Sequence, residues 1–137
     1  MKLVLDTNVL VSAMLTPFGG PSRIIELISS GEITLLLDQR IFLEYKTVLS
    51  RERFKIPLRS QNIILDRLYE KAFFVMASPL SFALPDPEDN MFVEVAVAGR
   101  ADALITGNKK HFPSSTVKEV LICSPSEFLY SLKKIKN

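Results

Sequence analysis

Acidic side chains stand in this chain at places where an unrewarded charge is costly. Asp6 ends the apolar run Leu3-Val4-Leu5 and is followed at once by Thr7 and Asn8. Asp86, Glu88 and Asp89 form a second acidic group, and Glu44 lies at the margin of an otherwise apolar stretch between Ile41 and Val48. A carboxylate so placed either caps a helix or holds a cation, and Asp86 and Asp89, three apart, suit a first helical turn in both roles. If Asp6, Glu44 and Asp89 share one partly dry pocket, they raise one another's pKa values unless a divalent cation compensates. Mg²⁺ and Mn²⁺ meet that need, because hard cations take oxygen ligands, keep several waters and share substrate phosphates. Such an ion lowers the pKa of an attacking water and offsets charge on a phosphodiester.

The elements that must position these groups follow from the alternation of short apolar runs with amphipathic stretches, the pattern of an α/β fold with a mainly parallel sheet. Residues 2–5 read as a first strand, followed by a short helix from about Asn8. Gly19-Gly20-Pro21 breaks the chain before a helix over 22–30, which Gly31 stops in the C′ position. Residues 32–37 form a second strand, and Asp38 caps a helix over 38–49 with Ile41, Tyr45, Val48 and Leu49 on its apolar face. A further helix from about Ser60 carries Ile63, Ile64, Leu68, Phe73 and Phe74. Asp86 at the N-cap and Pro87 at N1 open an apolar helix that ends near Gly99. Residues 103–106 and 119–123 are the third and fourth strands, and Ser124 with Glu127 makes a capping box for a last helix. In such a sheet, ligands bind beyond the carboxyl ends of the strands, which directs attention to Asp6, Thr7, Asn8, Thr106 and Asn108.

The size suits a single domain over residues 1–137 with a real core, since 47% of the residues are hydrophobic. A net charge of +2 neither demands nor excludes a nucleic-acid partner, so the distribution of charge matters more than the sum. The sole cysteine, Cys123, rules out an internal disulfide and reads as a buried thiol in a reducing cytoplasm. Asp6 and Asn8 interrupt the N-terminal apolar run before a signal-peptide core can form, and no run is long enough to span a membrane.

The D-T-N of Asp6, Thr7 and Asn8, the lone Glu44, the D-P-E-D-N-x-F-x-x-x-A run from Asp86 to Ala96, and A-D-A-L-I-T-G-N from Ala101 to Asn108 together resemble a PIN domain. The likeness covers nearly the whole chain in motif order and is closest to VapC-like toxins of toxin-antitoxin pairs. It implies a three-layer PIN-like α/β/α sandwich, Mg²⁺- or Mn²⁺-dependent cleavage of RNA, homodimers and an inhibitory antitoxin. By position, Asp6, Glu44 and Asp89 match the three main acids of the family, Thr7 and Thr106 match polar residues that brace the site, and Asp86 matches an extra acid. Asn8 joins the bracing group. One departure is Asn108, which stands where many PIN nucleases carry a fourth acid; an amide can still coordinate or hold a water, whereas the nearby His111 cannot replace a carboxylate charge.

RNA needs cations near the acids. The segment from Arg40 to Arg59 supplies Arg40, Lys46 and Arg51, among others, as a phosphate track, and Lys109, Lys110 and His111 stand beside the proposed site. Three rival readings follow: a PIN nuclease of RNA processing that is not a toxin, a degenerate PIN domain that binds RNA or protein without cutting, and a haloacid-dehalogenase-type phosphatase. The last requires a second Asp two residues after the first, and Asn8 stands there. Apolar residues on the first helix and between Ile63 and Phe74 suit a dimer face or an antitoxin groove.

Overall fold

The computed structural model describes residues 1–136. Five strands, β1 (Lys2–Leu5), β2 (Thr34–Leu37), β3 (Phe73–Phe74), β4 (Ala103–Ile105) and β5 (Ile122–Cys123), form one sheet in the order β3-β2-β1-β4-β5. Every pairing is parallel. The helices are α1 (Thr7–Leu15), α2 (Gly20–Ser29), α3 (Gln39–Leu49), α4 (Leu58–Lys71), α5 (Asn90–Ala98) and α6 (Pro125–Lys136). Single 3₁₀ turns occupy Glu52–Phe54, Pro87–Asp89 and Lys109–His111.

Leu3, Val4 and Leu5 are all fully buried, as are Leu35, Leu36 and Leu37. Successive strand side chains point to opposite faces, so both faces of the sheet are covered, which is the α/β/α sandwich expected from continuous apolar runs. β1 lies at the centre, and its carboxyl end delivers Asp6 between β2 and β4, with the Asp6 amide donating to the Ile105 carbonyl at 2.9 Å.

Several local signals act as the sequence predicts. Asp38 accepts the Ile41 amide at 3.0 Å, and Ile41, Tyr45, Val48 and Leu49 are the buried residues of α3. Ser124 and Glu127 close a full capping box, with amide-to-side-chain distances of 3.1 and 2.8 Å. Gly31 takes φ +84° just past α2, a conformation that costs any residue with a Cβ. Cys123 is buried, and burial pushes its thiol up to about 11.

Other boundaries differ. α2 starts at Gly20 with Pro21 in its first turn, β2 and β5 are shorter than expected, and a 3₁₀ turn precedes α5 where one continuous helix is predicted. The largest correction is at Phe73 and Phe74, which do not extend the apolar face of α4. The helix ends at Lys71, and the two aromatics pair with Leu36 and Leu37 as the edge strand β3. Bulky aromatic residues favour a pleated, half-buried edge over continued helix, and that leaves Phe73 63% exposed. Ile63 likewise points outward at 61% exposure, while Leu65 and Leu68 carry the packing. No helix among the described residues is long and apolar enough to cross a membrane.

Candidate metal and nuclease site

Asp6 is only 5% exposed, and although it stands at the N-cap of α1 its side chain makes no capping bond. Its Oδ2 instead accepts the Thr106 hydroxyl from the end of β4, at 2.8 Å. Burial pushes the Asp6 carboxyl upward, and the Thr106 bond, the nearby Thr7 amide, the charge of His111 and the Asn8 amide offset part of this. A carboxylate held dry without a capping bond is a candidate ligand group.

Thr7 opens α1 with its hydroxyl donating to Glu44 Oε2, which fixes the half-buried Glu44 against the same strand end. The next residue of α3, Tyr45, is fully buried, and its hydroxyl donates to the Leu5 carbonyl at 2.6 Å, so α3 is fastened to the residue before Asp6. Burial, then the charges of Asp6 and Glu44, drive the Tyr45 phenol well above its ordinary value and keep it a neutral donor.

Asp89 stands at the N-cap position of α5 and also makes no capping bond. Its Oδ2 is buried without a hydrogen-bond partner. Burial first, then the charge of Asp6, with smaller contributions from Asp86 and Glu44, raise its carboxyl to about 6, against a lowering influence from His111. Asp89 thus feels all three other acids. Asp86 itself is exposed, with Oδ1 committed to the Glu88 amide at 2.9 Å, so it acts as the cap of the 3₁₀ turn and contributes charge nearby.

Among the described residues, no three carboxylate, imidazole or thiolate groups close into a ready-made metal cage. The match to a hard cation therefore lies in donor chemistry: a buried Asp6, an orphaned buried oxygen on Asp89, and Glu44 oriented by Thr7.

Thr7 donates to Glu44 and Thr106 to Asp6, whereas Asn8 is exposed and acts on Asp6 through its backbone amide. Asn108 Oδ1 accepts the Lys110 amide at 3.2 Å, which commits one of its two lone pairs to the turn. Arg40 is no free phosphate contact: its guanidinium is held by Asp38 at 2.7 Å and by Glu94 at 2.7 Å. Glu94 is a buried acid on α5 that the sequence reading passes over, although it interrupts an apolar helix just as Glu44 does. Lys109 is taken by Glu127, 3.0 and 3.1 Å from its two oxygens. Lys46 falls on the side of α3 away from Glu44, in a cleft of about 300 Å³ against α4. Arg51 is exposed, and Lys110 lines a separate cleft of about 360 Å³ with Ser114 and Ser115. Tyr45 was legible only as an apolar position; a buried hydroxyl needing an acceptor was the signal for more.

A PIN domain family model matches residues 2–110. The chain belongs to the PIN domain family. It is 30% identical over 112 residues, 80% of this chain and 72% of the other, to the uncharacterized protein MJ1680 of Methanocaldococcus jannaschii. Its fold is similar to a chain in the crystal structure of VapBC2 from Rickettsia felis bound to a DNA fragment from their promoter, with a TM-score of 0.60, 16% identity, and 90% of this chain and 98% of that one covered. PAE2754 from Pyrobaculum aerophilum is similar at a TM-score of 0.61 and 15% identity, covering 97% and 89%. PIN domains are generally nucleases that use divalent metals, and every acid discussed above except Glu127 lies within the matched span.

Proposed function

We propose that this PIN domain is an endoribonuclease dependent on Mg²⁺ or Mn²⁺, with Asp6, Glu44 and Asp89 as the acids that hold the cation and Asp86 adding negative charge at the rim. The observation that carries the reading is the orphaned, buried Oδ2 of Asp89, on a carboxyl raised to about 6 beside the buried Asp6. Two desolvated carboxylates that cap no helix cost stability, and a bound cation would offset what their protein neighbours do not. When bound, the cation supplies a water of lowered pKa and neutralises charge on the phosphodiester. Among the chain's own groups, Thr106 favours the charged form of Asp6 against its burial, Thr7 orients Glu44, and Tyr45 and Leu5 exclude water from beneath. Arg51 and Lys110 remain as exposed cations for an RNA backbone, whereas Lys46 faces away from the acids.

The biological setting proposed is a toxin of a toxin-antitoxin pair in the cytoplasm, restrained by a cognate antitoxin and active as a homodimer. The similarity of fold to a VapBC2 chain supports it. So does an apolar cleft of about 640 Å³ lined by Met14, Ile63, Ile64 and Arg67, with exposed Leu15 and Phe18 elsewhere on the surface. The non-cutting RNA- or protein-binding reading is favoured by one observation, the missing fourth acid at Asn108.

The test is cleavage of a panel of structured and single-stranded RNAs by the purified protein with Mn²⁺, with Mg²⁺ and with EDTA. Cleavage that requires either metal supports the reading. Equal inertness in all three, from folded protein freed of any bound partner, overturns it in favour of the non-cutting binder.

A further inference from the structure

The turn after β4 touches both central acids. Thr106 donates to Asp6 and accepts the Asn108 amide at 3.1 Å, while three residues beyond Asn108 the His111 Nδ1 stands 3.6 Å from the orphaned Oδ2 of Asp89. Between them lies the Asn108 side chain, whose Nδ2 is 3.2 Å from His111 Nε2. Its orientation is fixed by chemistry. The Lys110 backbone N–H can only donate, so the atom it meets at 3.2 Å must be the amide oxygen, and the –NH₂ must then face the imidazole. An amide N–H facing Nε2 requires a lone pair there, which puts the proton of the neutral ring on Nδ1, the nitrogen nearest Asp89.

Resting on the nuclease reading above, we propose that Asn108 and His111 are positioning residues: Asn108 selects the Nδ1–H form of His111, and that N–H is directed at Asp89 Oδ2 and orients the carboxylate that would hold the cation. Asn108 stands where many PIN nucleases carry a fourth acid, and here the pair supplies a directed donor to Asp89 and not a further charge. A ring carrying its proton toward Asp89 has no lone pair there for a metal, so His111 is not itself a ligand. The 3.6 Å separation is longer than a formed hydrogen bond, so a small rotation of either side chain is needed to close it. Outer partners of this kind typically hold about tenfold or more in metal affinity.

His111 is the only histidine in the chain, so its ring state is read without ambiguity in long-range ¹H–¹⁵N correlation spectra of untagged, metal-free protein. The neutral ring is expected as Nδ1–H in the wild type and as the ordinary Nε2–H form in Asn108→Ala; an Nε2–H ring in the wild type overturns the proposal. Mn²⁺ affinity measured by electron paramagnetic resonance supplies the second reading. His111→Ala is expected to weaken binding by about tenfold. His111→Asn, whose amide nitrogen takes the place of Nδ1, is expected to stay within about threefold of the wild type. If His111→Asn falls as far as His111→Ala and the wild type shows nitrogen coupled to the Mn²⁺ spin, His111 is a ligand and the proposal fails. An Nδ1–H ring in a wild type that binds no Mn²⁺ overturns the nuclease reading beneath it, and the two failures are thereby told apart.

Discussion

Replacing Asp89 by asparagine should stabilise the metal-free protein, the reverse of what loss of a helix-capping acid does. Asp89 Oδ2 is buried without a partner, the side chain is only 15% exposed, and burial together with Asp6 raises its carboxyl from 3.8 to about 6. Because the folded pKa lies above the unfolded one, the native state holds more protons between those two values, and stability falls as pH rises through that window. The full penalty, about 3 kcal/mol from the two pKa values, is present at about pH 7.5 and shrinks to about 1 kcal/mol at about pH 4.5. Asp6, itself raised by burial, carries less than a full charge as the pH falls, which makes these upper values, so we expect Asp89→Asn to gain about 1.5–3 kcal/mol at about pH 7.5, a rise in Tm of several degrees. Denaturant unfolding in EDTA at both pH values measures the difference. Mn²⁺ should then stabilise the wild type and leave the variant almost unchanged, since binding to the native state alone raises its stability. A variant that is less stable than the wild type at about pH 7.5, by the 0.3–1 kcal/mol or so typical of a lost acid at a helix N-terminus, would refute the argument that this carboxylate is strained toward a ligand.

Thr106→Val removes the hydroxyl that offsets the burial of Asp6; with that carboxyl raised further, the acid limb of metal-dependent cleavage should move to higher pH, and an unmoved pH profile counts against the Thr106 assignment. Arg40→Ala strands the buried Glu94 and should cost about 3 kcal/mol in unfolding experiments, with Arg40→Ala/Glu94→Gln recovering most of it; RNA affinity lost without loss of stability would restore Arg40 as a phosphate contact. Gly99→Ala builds a Cβ 2.5 Å from Leu36 Cδ1, between α5 and β2, and should cost about 1–3 kcal/mol; an unchanged Tm would mean that this contact relaxes freely.

Much of the scaffold is written locally. Asp38 before α3, the Ser124–Glu127 box and Gly31 after α2 act through bonds spanning a few residues, so their types and spacing suffice to place them. The unbroken burial of Leu3 to Leu5 similarly announces a central parallel strand and puts Asp6 at its end. Pairings between distant segments are not written that way. Arg40 looks like a free cation until Glu94, on another helix, claims it, and Lys109 likewise until Glu127 does. Phe73 and Phe74 satisfy a helical period as well as a strand's, and only the open edge of β2 decides between them. The orientation of Asn108 depends on a backbone amide two residues away, a detail that residue type alone does not carry.

The central claim is that Asp6, Glu44 and Asp89 act together on RNA through a bound divalent cation. Single-turnover cleavage of one susceptible RNA at saturating Mn²⁺, by the wild type and by folded Asp6→Asn, Glu44→Gln and Asp89→Asn, tests it most directly. The account predicts a fall of about a thousandfold or more in each variant, with RNA binding retained, because the three carboxylates act as a unit. Cleavage within about tenfold of the wild type in any one of them would contradict it.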